Sequence, residues 1–210
     1  MATHNYWTNP SVIALAEKNN PLDVITQKAR TTILNFMESG GKGPPFDPFD
    51  LADYLKVYVT PREDVRDAQT VYRDGKFHIE FNPNRPKSRL RYSISHEIVH
   101  TFFPDCKEQV RYRATHDEMR NDEWQLEMLC NVGAAELLMP IGSSPELQKE
   151  DLAIDNVLEL RKRYEVSIEA LLLRFIKLTQ NPCAIFSASR IAPDIERYKI
   201  DYLIPSIEHF

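Results

Sequence analysis

The sequence lacks the long apolar runs and basic blocks that would place it in a membrane or on nucleic acid. None of its segments approaches the roughly 20 apolar residues of a membrane helix, and its first residues do not resemble a signal peptide. Its 26 Lys and Arg stand against 31 Asp and Glu, with no Lys/Arg-rich block to neutralise phosphates. We therefore expect neither a membrane nor a direct nucleic-acid partner.

Cysteine is also scarce. Cys106, Cys130 and Cys183 are odd in number, far apart, and never form a C-x-x-C pair. A disulfide framework and a closed, Cys-rich structural zinc site are both disfavoured by this pattern. A reducing compartment, and so a cytoplasmic location, is the expectation.

Helix- and strand-breaking Pro, Asn and Gly residues divide the region before the candidate site into predicted elements. Two helices are expected within 10–37, separated by Asn19-Asn20-Pro21, then a short helix at 48–55 and a strand at 57–59. A β-hairpin is expected over 71–81, because Asp74-Gly75 supplies the positive φ angles of a two-residue turn. The alternation predicts that Phe77, Ile79 and Phe81 face the core and that His78 and Glu80 face away from it.

His96-Glu97-Ile98-Val99-His100 is the most informative stretch. On a helix capped by Ser88, His96 and His100 would share one face and bind one metal, while Glu97 would take a proton from water. Three interpretations compete: a chance surface motif, a structural zinc site, and a catalytic site with three protein ligands. The catalytic interpretation fits best and requires a third ligand.

A helix from about Asp122 to Pro140 offers that ligand. Its second half is rich in small residues that let another helix approach closely. The acids that compete for the role are Glu118, Glu123, Glu127 and Glu136. Periodicity places Glu127 on one stripe with Cys130 and Asn131, and Glu136 on the opposite, more easily solvated side. Glu127 is therefore the predicted ligand, and Cys130 is predicted to be a small buried residue.

The two motifs together resemble the ImmA/IrrE family of zinc metallopeptidases. Its second motif, E-x-x-A-N-x-F-A-A-x-L-L-M-P, corresponds to 127–140, and its V-S-x-x-A-L-x-x-R-L segment to 166–175. The resemblance also implies that Glu127 is the third zinc ligand. Cys130 stands where the family has Ala, and Gly133 where it usually has Phe.

Other roles are hypotheses. Asn131 is expected either to orient a ligand histidine or simply to satisfy buried backbone. Candidate transition-state donors include Tyr92, Tyr112 and His116, although a lone His in a charged loop is more often plain surface. Phe77, His78 and Ile79 are expected either to form an edge strand that pairs with an extended substrate or merely to build the sheet.

The fold class implied is an α+β zincin-like (minigluzincin) domain, with a small sheet and an edge β-hairpin packed on a helical core. We divide the chain into an N-terminal helical segment, 1–45, a zincin-like domain, 46–180, and a C-terminal part, 181–210. Two further helices are expected within 155–178, the second too apolar to read DNA. Two strands near 183–188 and 198–203 would either pack on the core or begin a further domain.

The predicted function is a zinc-dependent endopeptidase with one zinc ion per chain. The resemblance implies a protein substrate, a helix-turn-helix repressor whose cleavage relieves repression in a phage, mobile-element or stress circuit. One alternative is a non-catalytic zinc-binding regulator that controls a repressor or toxin-antitoxin partner by binding alone. Another is a zinc domain that only supports an interaction surface. Glu97 favours the enzyme, because a pure binder needs no general base.

Overall fold

The structure is a computed structural model that describes residues 6–115, 121–143, 153–179, 182–191 and 197–206. The helices are α1 Pro10–Ala16, α2 Pro21–Glu38, α3 Pro48–Tyr54, α4 Lys87–His100, α5 Cys106–Thr115, α6 Glu123–Leu138, α7 Ile154–Tyr164 and α8 Ile168–Leu178. The strands are β1 Tyr58–Pro61, β2 Ala68–Arg73, β3 Lys76–Phe81, β4 Ala184–Arg190 and β5 Tyr198–Pro205. Among the described residues, no helix is long and apolar enough to cross a membrane.

The N-terminal pair of helices is confirmed. The side chains of Asn9 and Asn20 cap α1 and α2, and proline occupies the first position of each helix, where its missing N–H costs no hydrogen bond. Ile25, Ala29 and Ile33 of α2 are buried in the same core as residues of α4 and α6. The first two helices therefore form one side of the core that carries the candidate site.

The three-stranded sheet has the order β1-β3-β2. The predicted hairpin is confirmed: β2 and β3 are antiparallel, and Asp74 and Gly75 have φ angles of 53° and 77°. The expectation that β3 lies at the edge is wrong, because β1 pairs with β3 in parallel on its other side. The strand that carries Phe77, His78 and Ile79 is thus the middle one, and β2 is the edge beside α4.

The faces of β3 also differ from the prediction at one position. Ile79 and Phe81 enter the core as expected, but Glu80 is only 1% exposed although it lies on the opposite face. Its carboxylate is covered by Arg62 and Arg73, whose guanidinium nitrogens lie 3.1 and 3.0 Å from it. These long side chains shield the carboxylate, so a charged residue is buried on a face that alternation alone assigns to solvent.

Helices α4 and α6 pack closely. Ile94, Ile98 and Val99 form the buried side of α4, as predicted. Gly133 of α6 allows the contact, since a Cβ added there would lie 2.7 Å from Cγ1 of Val99. The predicted cap is wrong: α4 begins before Ser88, and no side chain caps it. The small-residue surface of α6 is thus the surface that meets α4.

The other side of α6 meets α2 and α8 through a buried carboxylate. Glu136 was expected to be solvated, but it is 0% exposed. Its carboxylate accepts hydrogen bonds from Arg30 of α2 at 2.8 Å, from Arg174 of α8, and from the backbone N–H of Ile141. Arg174 also donates to the carbonyl of Met139 at 3.1 Å. Partners distant in sequence bury Glu136, which helical periodicity within α6 could not reveal.

The C-terminal elements agree with the prediction of two helices and two strands. Ser167 caps α8 by accepting from the N–H of Ala170, and β4 pairs with β5 in antiparallel fashion. Tyr202 of β5 donates a hydrogen bond to Glu169 of α8 at 2.6 Å. The two-stranded sheet is therefore attached to α8.

Candidate metal centre

Three side chains with potential ligand atoms converge between α4 and α6. Nε2 of His96 lies 3.0 Å from Oε2 of Glu127, and Nε2 of His100 lies 3.5 Å from its Oε1. The two Nε2 atoms are 3.2 Å apart. Tetrahedral zinc with bonds of about 2.0–2.1 Å separates its ligand atoms by about 3.3 Å. The set chosen from sequence, His96, His100 and Glu127, thus has the spacing of three ligands around one ion.

The carboxylates beside His96 set its protonation. Burial lowers the pKa of the His96 imidazole, but the hydrogen bond to Glu127 and the charges of Glu97 and Glu127 outweigh it. The pKa therefore lies above the ordinary 6.5. Such a histidine releases a proton when it binds a metal.

Asn131 fixes the tautomer of His96. Its Oδ1 lies 2.9 Å from Nδ1 of His96 and accepts from the Tyr92 hydroxyl at 2.8 Å. Because an amide oxygen only accepts, Nδ1 donates to it, so loss of the other proton leaves the lone pair on Nε2, where a metal can bind. Burial raises the pKa of Tyr92 to about 12, with smaller contributions from Cys130 and Glu127. This candidate transition-state donor therefore donates to Asn131, on the Nδ1 side of His96.

Cys130 is buried as predicted, but it also contacts a ligand. Its Sγ lies 3.5 Å from Nδ1 of His100. Among the described residues, His96, His100 and Cys130 have potential ligand atoms within 4.8 Å of one another. The thiol, however, lies on the Nδ1 side of His100, whereas Glu127 lies at Nε2 of both histidines. Glu127 fits the third ligand position better, and Cys130 fits a partner of the outer nitrogen of His100.

Glu97 is held by a residue that sequence reasoning missed. The hydroxyl of Thr70 on β2 donates to Oε2 of Glu97 at 2.7 Å, and its Oγ1 is also 3.2 Å from the Glu97 carbonyl oxygen. Glu97 is 9% exposed, so its carboxylate has limited freedom but still borders the cavity described next. Thr70 belongs to no sequence motif. It lies beside Glu97 of α4 because of the position of β2 in the sheet.

Three other predicted groups are not brought to the metal centre. Ile79 is buried in the core, and His78 stacks on the ring of Tyr58 at 5.2 Å. Phe77 packs against Tyr72 at 5.0 Å. His116 and the side chain of Tyr112 lie outside the described residues, so their hypothesised roles stay predictions.

A cavity of about 750 Å³ opens beside His96 and Glu97. It separates α4 and α6 from α8, and we call it the α6–α8 cleft. It is lined by Asp67, Ala68, Ser88, Arg89, Tyr92, Ser93, His96, Glu97, Asn131, Val132, Ala135, Leu138, Met139, Val166, Ser167, Glu169, Ala170, Leu173, Arg174 and Lys177. The candidate base therefore faces a space large enough for several side chains.

Comparisons with known proteins show the family and the fold of the chain. Residues 52–175 match the model of the M78 peptidase family, described as the IrrE N-terminal-like domain, whereas no curated protein matches the chain. A solved Mycobacterium tuberculosis transcriptional regulator is similar in fold, with a TM-score of 0.53 and 18% identity. The alignment covers 90% of this chain but only 59% of that one. Since the family match covers more than half of the sequence, the chain belongs to the M78 peptidase family and has its α+β, zincin-like fold.

Proposed function

We propose that the protein is a cytoplasmic zinc-dependent endopeptidase that cleaves a helix-turn-helix repressor. The observation that carries the enzymatic part is the convergence of His96, His100 and Glu127 beside a separate carboxylate, Glu97, at the mouth of the α6–α8 cleft. A binding protein has no use for a fourth ionisable group held next to the ligands. The geometry therefore favours catalysis over a non-catalytic zinc-binding regulator.

The donor set suits zinc. Two neutral imidazoles and one carboxylate are a frequent ligand set of catalytic zinc, and they leave a fourth position open. A bound zinc ion would lower the pKa of water and polarise a carbonyl group. The protein contributes the orientation: Asn131 fixes His96 through Nδ1, and Cys130 contacts Nδ1 of His100.

Glu97 is positioned to move the proton. In peptide hydrolysis, its carboxylate accepts a proton from the attacking water and then donates it to the amine that leaves when the C–N bond breaks. Thr70 keeps one oxygen, Oε2, occupied by a hydrogen bond. The other oxygen is then the one that exchanges the proton, so Thr70 selects which edge of Glu97 faces the substrate.

β2 offers a backbone edge for an extended substrate. In a two-residue turn at Asp74-Gly75, the flanking residues Arg73 and Lys76 hydrogen-bond to each other. Every second residue of β2 then bonds to β3, so the backbone N–H and C=O groups of the residues between them point away from β3. These outward-pointing residues are Ala68, Thr70 and Tyr72. Ala68 also lines the α6–α8 cleft. A peptide added along β2 would thus pass the carboxylate of Glu97 and enter the cleft.

The repressor is the narrower part of the proposal, and its support is the resemblance to the ImmA/IrrE peptidases. The similar Mycobacterium tuberculosis structure carries the description of a transcriptional regulator, but at 18% identity that likeness concerns the fold alone. The candidate substrate for a first test is the helix-turn-helix repressor encoded nearest to the gene of this chain.

The test compares wild type with Glu97→Gln, His96→Ala and the matched control His78→Ala, whose histidine stacks on Tyr58 outside the site. Metal content and repressor cleavage are measured for each. We expect zinc in every variant except His96→Ala, and cleavage by wild type and His78→Ala only. Loss of the general base should slow cleavage by about 10²–10⁴-fold.

Two outcomes would contradict the proposal. Cleavage by Glu97→Gln at the wild-type rate would remove Glu97 from the chemistry. Zinc binding without cleavage, combined with tight binding of the intact repressor, would instead favour the non-catalytic regulator.

A further inference from the structure

One face of α8 forms a wall of the α6–α8 cleft. Ala170, Leu173, Arg174 and Lys177 all line the cleft and are spaced i, i+3, i+4 and i+7, so they share one stripe of the helix. Glu169 and Lys177 are eight residues apart, which is about 12 Å along the helix. An extended peptide needs about 3.3 Å per residue. The wall is therefore long enough for three to four substrate residues.

The floor of the cleft is apolar. Leu138 of α6 and Met139, which follows the helix, are each 1% exposed. Val132 and Ala135 line the cleft on the same helix, between Leu138 and the candidate metal centre. Leu173 faces these residues from α8. Burial of an aliphatic substrate side chain here would stabilise the complex through the hydrophobic effect.

Three Lys and Arg side chains line the cleft, namely Arg89, Arg174 and Lys177, and two of them form ion pairs. Asp67 accepts two hydrogen bonds from Arg89, at 2.8 and 2.7 Å. Glu169 accepts from Tyr202, and Arg174 is bound to Glu136. Lys177 is the exception, since it forms no ion pair with any residue that the structure describes. One cation on the cleft wall therefore remains available to a ligand.

Arg174, three residues before Lys177 on the same stripe of α8, adds positive charge to the surroundings of Lys177. Glu136 provides one negative charge, and it already has two cationic partners, Arg30 and Arg174. Lys177 is exposed at the cleft, but the protein around it still lowers its pKa by partial removal from water, and the charge of Arg174 lowers it further. An anion bound beside Lys177 would raise this pKa again, because an opposite charge nearby favours the charged form of the ammonium group.

We propose that Lys177 is a specificity-determining residue that pairs with a carboxylate of the substrate, while the apolar floor holds an aliphatic side chain between that carboxylate and the scissile bond. The preferred substrate segment is thus apolar near the cleavage point and acidic a few residues away. This inference rests on the proposed peptidase function. The carboxylate could belong to an Asp or Glu side chain or to the C-terminus of a peptide, and the test separates the two.

The experiment measures binding apart from cleavage. Fluorescein-labelled short peptides carry Val-Leu followed at successive positions by Glu, Gln or Lys, each with a free or an amidated C-terminus. Their affinities are measured by fluorescence anisotropy with the full chain carrying Glu97→Gln. The same measurement is repeated after Lys177→Met, Lys177→Glu and, as a matched charge reversal elsewhere, Lys18→Glu, whose lysine is exposed after α1.

The Glu peptide should bind between about threefold and tenfold more tightly than the Gln peptide at one or two positions. Lys177→Met should abolish this preference, Lys177→Glu should shift it to the Lys peptide, and Lys18→Glu should leave it intact. If only the free C-terminus matters, the ligand is the terminal carboxylate. If amidation has no effect, it is the side chain. Circular dichroism establishes that each variant is folded.

An unchanged preference in both Lys177 variants would overturn the inference, as would the absence of binding by every peptide. Failure of the peptidase function gives a different result. In that case no peptide is cleaved by wild type, yet the acidic preference and its dependence on Lys177 persist. For cleaved peptides, the same preference should appear in KM rather than kcat, because Lys177 lies away from the reacting atoms.

Discussion

The two sides of α6 contrast sharply. Towards α4, Gly133 brings the helices so close that one added carbon would meet Val99, and the metal ligands lie at this contact. Towards α8, the two helices are joined by the buried contact of Glu136 with Arg174 and are otherwise separated by the α6–α8 cleft. One side is closely packed, and the other leaves a cavity of about 750 Å³.

In the proposed function, this contrast would let a single helix contribute to both chemistry and recognition. Close packing holds His96, His100 and Glu127 at ligand spacing without depending on loops. On the other side, the ion pair between Glu136 and Arg174 keeps α8 apart from α6. The two long charged side chains span a gap that apolar side chains would close. Substitutions on the two sides should therefore have separable effects on metal binding and on peptide binding.

The largest effect on stability is expected at Glu136. Glu136→Leu leaves the 6%-exposed Arg174 without its anion, which should cost about 3–5 kcal/mol in the free energy of unfolding. Urea denaturation measures this loss. Lys199→Gln breaks an exposed ion pair with Asp201 and should cost less than about 1 kcal/mol. Under native conditions Glu136→Leu should weaken peptide binding more than zinc binding. An equal loss in both would mean that the two sides of α6 are not independent.

A smaller effect is expected at Gly133. Alanine there gains about 1 kcal/mol of helix propensity, but its Cβ would lie 2.7 Å from Val99, so overpacking should cost about 1–3 kcal/mol. Zinc affinity should fall as well, since α4 must move. Val99→Ala in the same chain should restore part of both, giving a favourable coupling in a double-mutant cycle. Additive effects of Gly133→Ala and Val99→Ala would argue against the contact.

The expected effect of pH on stability and zinc affinity is smaller again, and it concerns the side of α6 that packs against α4. Without zinc, the raised pKa of His96 means that its protonated form stabilises the fold below pH 6.5, and this contribution is lost as pH rises through the folded-state pKa. Zinc requires the neutral imidazole, so zinc affinity should rise over the same range, by up to about tenfold per pH unit for each proton released. Titration of zinc affinity against pH checks the sign.

Asn131→Ala provides the comparison for that titration. The Asn131 hydrogen bond contributes to the raised pKa of His96, so its loss should move the pH dependence to lower pH. Lys177→Met on the cleft side should leave the dependence unchanged. If the pH dependence of zinc affinity moved in Lys177→Met but not in Asn131→Ala, metal binding would not belong to the α4 side of α6.

The sequence predicted the local features best. Asn9, Asn20 and the Asp74-Gly75 turn determine their own neighbourhoods through caps and positive φ angles, so α1, α2 and the hairpin lie where they were expected. The hairpin begins at Ala68, three residues before the predicted 71. The three groups that converge in the metal centre were also named beforehand. Helical spacing within α4 and within α6 places them, and both patterns are local.

The errors share a non-local cause. The position of β3 depends on parallel pairing with β1, more than a dozen residues earlier, which alternation along β3 does not report. Glu136 is buried by Arg30, which is 106 residues away, and by Arg174. Thr70 reaches Glu97 across 27 residues. Each of these contacts is created by tertiary packing, and no neighbouring residue carries a signal for it.

Thr70 also makes the edge strand and the general base parts of one unit. The strand available to align a peptide holds the carboxylate that would take the proton, so a sideways displacement of β2 would move both together. The position of the peptide on β2 relative to the Glu97 carboxylate would then be kept even if the sheet moved relative to the helices. If the proposed peptidase diversifies in sequence preference, its substitutions should spare position 70 and concentrate on the outward-facing β2 positions and the α8 wall.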